Sequence, residues 1–315
     1  MNEVLRAENV HVAFRGGTTR AVDGVHLSIR KGEIIAIVGE SGCGKSTLSR
    51  ALLGLVPTTA GTVEFEGSPL PTASAALKAH RRRVQLVLQD PTGALNPRHS
   101  VYEAVAEGIR IHRLAGDETE LVAAALSKAG LRPPERFFLR YPHELSGGQR
   151  QRVVIAGALA LEPDVLIADE PVSALDASVR GEILALLLRL RESLGLTVAV
   201  ITHDLGLAWN IADRIAVMYL GRIVELGTVE EVLSAPRHPY TQALLSVVPE
   251  IEQLTPVILT GEPPDATKIP AGCRFRPRCP LYAEASPQLR SRCEQESPPI
   301  LADDGTHGAA CHAAD

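Results

Sequence analysis

An eight-residue glycine-rich loop lies between an apolar run and a helical stretch near the amino end of the chain. The loop is Gly39-Glu40-Ser41-Gly42-Cys43-Gly44-Lys45-Ser46; Ile34–Val38 precedes it, and a helix is predicted from residue 45 to about residue 56. Glycines let backbone N–H groups turn inward around an anion, and the helix that follows adds the positive end of its dipole. The pattern therefore favours binding of nucleotide phosphates.

The spacing of the loop is that of a P-loop, which assigns a role to each polar side chain. Lys45 is predicted to reach the β- and γ-phosphates and the Ser46 hydroxyl to ligate Mg²⁺, so ATP and Mg²⁺ are the expected cofactors. Cys43 is interpreted as a small filler whose side chain points away from the phosphates. The predicted binding residues are Gly39, Ser41, Gly42, Cys43, Gly44, Lys45, Ser46 and Thr47.

Two adjacent acids, Asp169 and Glu170, end the apolar run 165–168. A carboxylate at the carboxyl end of a buried strand suits the Mg²⁺ shell, as in a Walker B arrangement, and Asp169 is assigned to it. Glu170 is predicted to act as general base on the attacking water.

Strand and helix patterns alternate along residues 1 to 248, which predicts an α/β fold with a mostly parallel sheet covered on both faces. Residues from about 90 to 160 read as helical, with Ser100 and Asp117 as helix-capping signals, and they predict a helical lobe inserted into the core. The predicted strands are 4–14, 25–29, 34–38, 62–66, 84–88, 165–168, 197–201 and 215–219, with a hairpin at 221–227.

Residues 249–315 differ in character. They hold ten of the 22 prolines and four of the five cysteines, so regular packing is not expected there and something other than an apolar core must hold the segment. The predicted organisation is a core of 1–248 followed by a small irregular Cys/Pro-rich extension of 249–315.

The sequence Leu145-Ser146-Gly147-Gly148-Gln149, ahead of the predicted Walker B strand, resembles the signature motif of ABC-type ATPases. The resemblance spans residues 3 to about 248 and implies a P-loop NTPase fold and ATP hydrolysis coupled to transport. Physically, Ser146 and the amides of Gly147 and Gly148 cap a helix N-terminus and offer a second phosphate site. In ABC ATPases that site meets the γ-phosphate bound by the other subunit, so hydrolysis requires a head-to-tail dimer. Gln149 completes the motif.

Other positions match the family in its order along the chain. Phe14 resembles the aromatic residue that stacks on adenine, although an aromatic core residue at a strand end is the alternative. Gln89 resembles the Q-loop glutamine, which senses Mg²⁺ and the attacking water. Asp176, in the D-loop-like Ser173-Ala174-Leu175-Asp176, would cross the dimer interface, and His203 matches the switch histidine at the γ-phosphate.

Two segments point to the dipeptide/oligopeptide importer branch, which also includes nickel importers. They are residues 236–245, Pro-Arg-His-Pro-Tyr-Thr-Gln-Ala-Leu-Leu, and the tail around Cys273 and Cys279. The segments 89–98 and 170–176 look more like the second ATPase subunit of such systems. The resemblance implies a heterodimer with a related ATPase, with a homodimer left open, as well as two membrane permeases and an extracytoplasmic solute-binding protein.

The tail contains as many cysteines as a [4Fe–4S] cluster has thiolate ligands, so this cluster is the expected cofactor. The four cysteines are Cys273, Cys279, Cys293 and Cys311. The alternatives are a Cys₄ zinc site and a tail that binds no metal. Zinc knuckles favour two to four residues between paired cysteines, and five separate the first pair here. The long interval before Cys293 leaves His307 or His312 as a substitute ligand.

The formal net charge of −5 argues against a nucleic-acid partner. No secretory signal is recognised and no apolar run reaches the roughly 20 residues of a membrane helix, so we expect a peripheral protein on the cytoplasmic face of the membrane. A soluble ABC ATPase of translation or DNA repair and an export ATPase are the alternatives. One P-loop, one signature and the absence of a heptad run weigh against the first.

Overall fold

The computed structural model describes residues 3–173, 175–247, 259, 261 and 264–314. The strands, in chain order, are β1 (Glu3–Phe14), β2 (Thr19–Arg30), β3 (Ile34–Val38), β4 (Ala60–Phe65), β5 (Ser68–Pro69), β6 (Val84–Val87), β7 (Val165–Asp169), β8 (Thr197–Thr202), β9 (Arg214–Tyr219), β10 (Arg222–Thr228) and β11 (Gly308–Ala309). The α-helices are α1 (Lys45–Leu52), α2 (Ser74–Arg83), α3 (Pro91–Ala94), α4 (Val101–His112), α5 (Glu118–Lys128), α6 (Gly147–Leu159), α7 (Ala177–Leu194), α8 (Leu205–Ile211), α9 (Val229–Ser234), α10 (Pro239–Leu245), α11 (Pro280–Glu284) and α12 (Pro287–Gln295). Short 3₁₀ turns occupy Pro134–Arg136, Pro142–Glu144 and Arg276–Arg278.

The chain forms two compact units. The first contains Met1–Arg30, Ile34–Leu70 and Ile201–Asp315, and the second contains Lys31–Glu33 and Pro71–Val200. The boundary predicted between residues 248 and 249 falls outside the described residues and stays a prediction.

The first unit holds one antiparallel sheet in the order β2-β1-β4-β5 and a second set of strands in the order β11-β10-β9-β3. Strand β3 consists of five buried apolar residues, the pattern of a strand covered on both faces, and it pairs in parallel with β9. Strand β10 turns back antiparallel on β9, with Tyr219 opposite Arg222, which confirms the predicted hairpin.

The second unit pairs β6 with β7 in parallel, and the regular elements described between them, α3 to α6, are helical. Ser100 caps α4 in a full capping box with Glu103, and Asp117 caps α5. Both predicted caps are confirmed. They form because a hydroxyl or carboxylate oxygen can accept a hydrogen bond from the otherwise unpaired backbone amide three residues later.

Helix α1 is shorter than predicted: it ends at Leu52 and not near residue 56. Gly54 adopts φ +62°, its amide donates to Ala51 O at 2.9 Å, and the Leu55 amide donates to Arg50 O at 2.8 Å. These two bonds form a Schellman motif, which ends a helix at a glycine.

The carboxyl-terminal tail packs more regularly than the sequence indicated. Phe275 is 1 % exposed, with its ring centroid 5.2 Å from that of Tyr219 and 5.4 Å from that of Tyr240. Residues 308–309 add β11 to the edge of β10. The expectation that no apolar core holds the tail is therefore wrong: one phenylalanine joins it to the core of the first unit, and such aromatic contacts contribute beyond their buried area.

Candidate functional site

The phosphate loop of the first unit links β3 to α1 through two glycines that no other residue could replace without a clash. A Cβ on Gly39, at φ +154°, would lie 2.2 Å from Met218 O, and one on Gly44, at φ +108°, would lie 2.0 Å from Ala21 O. Positive φ angles and close backbone contacts both require glycine. The loop is thus held tightly against the backbone around it.

Lys45 lies inside this loop and is 5 % exposed. Its Nζ donates to Gly39 O at 2.6 Å and to Glu40 O at 2.9 Å, and the Cys43 Sγ lies 3.8 Å away. Burial raises the pKa of the Cys43 thiol, so the sulfur stays uncharged beside the ammonium. The site therefore presents one cation, together with the N-terminus of α1, to an anion.

Ser46 and Thr47 follow in the first turn of α1, and both are half-buried. Phe14 ends β1 and keeps 43 % of its surface exposed, so its ring is not a core residue of the described structure. His203 lies exposed between β8 and α8, next to Asp204, which caps α8 through the Leu207 amide. The roles predicted for these side chains stay predictions.

In the second unit the parallel pairing of β6 and β7 brings Gln89 and Glu170 together. The Gln89 Nε2 atom donates to Glu170 Oε2 at 2.9 Å. Asp169, at the end of β7, is 7 % exposed, and Glu170 adopts φ +47°. A left-handed conformation in a residue with a side chain is strained and recurs at functional sites. The structure therefore places both predicted catalytic side chains of this unit at one sheet edge.

The predicted second phosphate site is the N-terminus of α6. The Ser146 hydroxyl accepts from the Gln149 amide at 3.2 Å, and the Gln149 side chain accepts from the Ser146 amide at 3.0 Å. A Cβ on Gly148 would lie 2.5 Å from Val179 Cγ1 of α7, and one on Gly147 would lie 3.3 Å from Leu175 Cδ2. Ser146 therefore caps α6 as predicted, and the reciprocal bond with Gln149, which was not predicted, completes a capping box.

Asp176, at the start of α7, is exposed. Ala174 of the same predicted D-loop lies outside the described residues.

The four tail cysteines share one pocket in the first unit. Cys273, Cys279, Cys293 and Cys311 line it together with Phe275, Leu281, Leu289 and His312. The Cys273 amide donates to Cys293 O at 2.8 Å, and burial raises the pKa of Cys279 to about 11. The interval before Cys293 is taken up by α11 and α12, which bring the chain back to the pocket.

Over the described part of the chain, no three or more His, Cys, Asp or Glu side chains are placed to hold one metal ion. The two histidines considered as substitute ligands have other partners: His307 Nε2 bonds Glu225 Oε1 at 2.8 Å, and His312 Nε2 bonds Glu296 O at 2.9 Å.

Sequence reasoning missed the polar contacts that join the tail to the rest of the first unit. Arg278 pairs with Glu40 of the phosphate loop, Arg274 with Asp23, and Arg214 with Asp303. The partners lie far apart in the sequence, and no local pattern signals such a pair.

Within the described ranges, none of the helices combines the length and apolarity that crossing a bilayer demands.

Comparison with known proteins shows the class. The ABC transporter family model matches residues 22–173, and a putative peptide import ATP-binding protein of Brucella ovis is 42 % identical over 89 % of this chain and 91 % of its own length. The chain belongs to the ABC transporter family and is an ABC-type ATPase, as predicted. Residues 224–285 further match the model described as oligopeptide/dipeptide transporter, C-terminal region.

Two further relatives are named oligopeptide transport ATP-binding proteins. OppF of Salmonella typhimurium is 43 % identical over 93 % of this chain and 88 % of its own, and AppF of Bacillus subtilis is 42 % identical over 94 % and 90 %. The expected likeness to peptide importers is confirmed.

Solved structures agree with the predicted fold. The cbiO1 protein of Clostridium perfringens, described as part of an ABC transporter complex, matches with a TM-score of 0.69 and 33 % identity over 75 % of this chain and 92 % of its own. The bacterial ABC transporter cassette MJ0796, described as dimeric, matches with a TM-score of 0.64 and 32 % identity over 71 % and 98 %. The α/β, P-loop NTPase fold of an ABC ATPase is confirmed.

Proposed function

We propose that this chain hydrolyses ATP to drive uptake of peptides through an ABC importer, working at the cytoplasmic face of the membrane. The observation that carries the proposal is the presence, on one chain, of the ABC ATPase match and of the oligopeptide/dipeptide transporter C-terminal match. Relatives named for peptide import match both parts together, because they cover about nine-tenths of the chain.

In this proposal the first unit binds the triphosphate. The loop amides and Lys45 hold the β- and γ-phosphates, Ser46 ligates Mg²⁺, Phe14 stacks on adenine, and His203 contacts the γ-phosphate. The buried Lys45 ammonium and the glycine-shaped loop support this assignment, since both are preorganised for an anion.

Three other side chains carry the hydrolytic roles in this proposal. Asp169 belongs to the shell of groups around Mg²⁺, and Glu170 takes the proton of the attacking water. Gln89 orients Glu170 through the hydrogen bond between the two side chains. Positioning of this kind, together with charge neutralisation, is the main catalytic contribution in phosphoryl transfer.

A dimer completes each site. The N-terminus of α6, with Ser146, Gly147 and Gly148, would bind the γ-phosphate held by the other subunit, and Asp176 would reach across the interface. Support comes from the exposure of Asp176 and from the dimeric cassette among the structural relatives. We propose a related ATPase as the second subunit, two membrane permeases and an extracytoplasmic solute-binding protein as partners, with no nucleic acid.

We propose that the tail pocket holds a [4Fe–4S] cluster. A single zinc ion would need all its thiolates within about 2.3 Å of one point, whereas a cluster spreads its cysteines over four irons. The four cysteines that line one pocket support the proposal. When bound, the cluster would cross-link and stabilise a proline-rich segment that has little apolar core of its own.

The test of the cluster is metal and sulfide analysis with visible absorbance of anaerobically purified protein. We expect iron and acid-labile sulfide in equal amounts, lost together in Cys273→Ser. Stoichiometric zinc without iron, or no metal, would overturn this part of the proposal.

The test of transport is reconstitution of the chain with its permeases and binding protein in vesicles. We expect peptide-dependent ATP hydrolysis that Lys45→Ala abolishes. Stimulation by a nickel chelate and not by peptides would reassign the solute, and co-purification with ribosomes or DNA in place of permeases would overturn the import function.

A further inference from the structure

One arginine of the tail reaches the phosphate loop. The Arg278 Nη1 donates to Glu40 Oε2 at 2.7 Å and its Nη2 donates to Glu40 Oε1 at 2.9 Å, across 238 positions of sequence. The Arg278 side chain is 5 % exposed and that of Glu40 is 27 % exposed. A two-point arginine–carboxylate pair fixes direction as well as distance.

The backbone of Glu40 is held at two more points. Its amide donates to the Tyr240 hydroxyl at 2.9 Å, and its carbonyl accepts from Lys45 Nζ at 2.9 Å. Tyr240 is fully buried against Phe275, three residues before Arg278. The second residue of the loop is therefore fixed by its side chain, its amide and its carbonyl. One of these contacts comes directly from the tail, through Arg278, and a second comes from Tyr240, whose ring packs against Phe275 of the tail.

The charges of Arg278 and Glu40 also bear on the binding of a triphosphate. Glu40 adds a negative charge to a loop that must accept a triphosphate, and the facing guanidinium offsets that charge. The bonds to Glu40 raise the pKa of Arg278, which therefore stays cationic at every working pH. Loss of Arg278 would free the carboxylate to move toward the phosphates and would leave its charge uncompensated.

We propose that Arg278 is a positioning residue for ATP binding, which acts from the tail by holding Glu40 and with it the phosphate loop. The inference rests on the proposed role of residues 39–46 in binding the triphosphate. It makes the tail a part of the nucleotide site and gives the segment after the ATPase core a role in ATP affinity.

The test is a double-mutant cycle on the purified full-length chain, with ATP affinity measured by displacement of a fluorescent ATP analogue. We expect Arg278→Ala to weaken ATP binding on the order of ten-fold, within the range found for residues of one ion-pair network. In a Glu40→Gln background the same change should cost less than about two-fold, because its partner is already altered. An unchanged affinity in Arg278→Ala, or equal losses in both backgrounds, would overturn the proposal.

A matched control is available in the same tail. Arg292 also precedes a cysteine, but its side chain is 50 % exposed and pairs with the exposed Glu296 at 3.7 Å. Exposed pairs contribute little, so Arg292→Ala should leave ATP affinity within about two-fold of the parent. An equal loss in both arginine variants would assign the effect to the tail as a whole and refute a specific role of Arg278.

Two further variants keep the test decisive. If Arg278→Ala unfolds, Arg278→Lys retains the charge but loses the two-point bond, and it should show a smaller loss with the same dependence on Glu40. Lys45→Ala examines the nucleotide site itself. Full ATP affinity in Lys45→Ala would refute the proposed site, whereas loss in Lys45→Ala with none in either Arg278 variant would refute only the role of Arg278.

Discussion

Gln89 holds the carboxylate of Glu170 through a 2.9 Å hydrogen bond between two side chains 81 positions apart in the sequence. The bond forms where β6 and β7 end side by side, so the parallel pairing of the strands decides which glutamine can orient which acid. Glu170 is also held in a left-handed conformation directly after a buried strand. Backbone and side chain together thus fix the direction of this carboxylate.

Replacing Glu170 by Gln should lower ATP turnover by at least about 100-fold, because an amide cannot accept the proton of the attacking water. The variant should still bind ATP, because the amide has the shape of the carboxyl group and can still accept the hydrogen bond from Gln89. Phosphate release and nucleotide binding measure the two effects separately. The control is Glu182→Gln, an exposed glutamate of the same unit that pairs with Arg152. Retention of turnover in Glu170→Gln would contradict the assignment of the base.

Replacing Gln89 by Glu should lower ATP turnover by more than about ten-fold, because it sets a second carboxyl group where a donor now meets Glu170. Like charges at this distance repel each other, so the carboxylate of Glu170 should lose the direction that the bond with Gln89 gives it. Gln89→Ala is the control and should cost less turnover, because it removes the donor without adding a charge. Equal losses of phosphate release in the two variants would count against the contact.

Gly148→Ala should destabilise the chain by about 1 to 3 kcal/mol, the usual cost of overpacking. The added Cβ would lie 2.5 Å from Val179 Cγ1, so the Val179 side chain or one of the two helices would have to move. The double variant Gly148→Ala/Val179→Ala removes that methyl group and should regain most of the loss in urea unfolding. Equal stability of Gly148→Ala and the parent chain would show that the α6–α7 contact is looser than described.

His238 should make the unfolding free energy fall in mild acid. Burial lowers its pKa to about 3, and its Nδ1 accepts from the Tyr240 amide, which requires the neutral ring. The unfolded chain takes up this proton near pH 6.5, so the stabilisation is complete above that pH and is lost toward pH 3, at about 1.4 kcal/mol per pH unit.

The variant His238→Asn keeps a capping oxygen for the helix but cannot titrate. Its unfolding free energy, measured in urea between pH 4 and pH 7, should therefore vary less steeply than that of the parent. His143→Asn, at an exposed position, should retain the parent slope. Identical slopes for the parent and His238→Asn would contradict the buried neutral ring.

The features that the sequence predicted correctly are local. Strand β3 has the predicted bounds because five apolar residues are followed at once by the glycine loop, and Ser100 caps α4 because its partner Glu103 lies three residues on. Asp169 ends β7 for the same kind of reason, since the acidic pair follows directly on the apolar run 165–168. Each of these predictions needs fewer than ten neighbouring residues.

The features that it did not predict depend on distant contacts or on a competing local signal. Helix α1 ends before residue 56 because Gly54 adopts a left-handed conformation that closes it. The pair of Arg278 and Glu40 joins residues 238 positions apart, and either one by itself resembles an ordinary surface charge. The packing of Phe275 in the tail was missed because a single aromatic residue among prolines gives no periodic pattern.

The order in which the tail pocket is built has a consequence for biosynthesis. Cys311 is the last of its four thiols to leave the ribosome, two residues after the end of β11. A nascent chain can fold its ATPase core well before this point, since domains fold as they emerge. If the pocket receives an iron–sulfur cluster, the site is complete only once Cys311 has been made, and iron-starved cells would accumulate a folded ATPase with an incomplete tail.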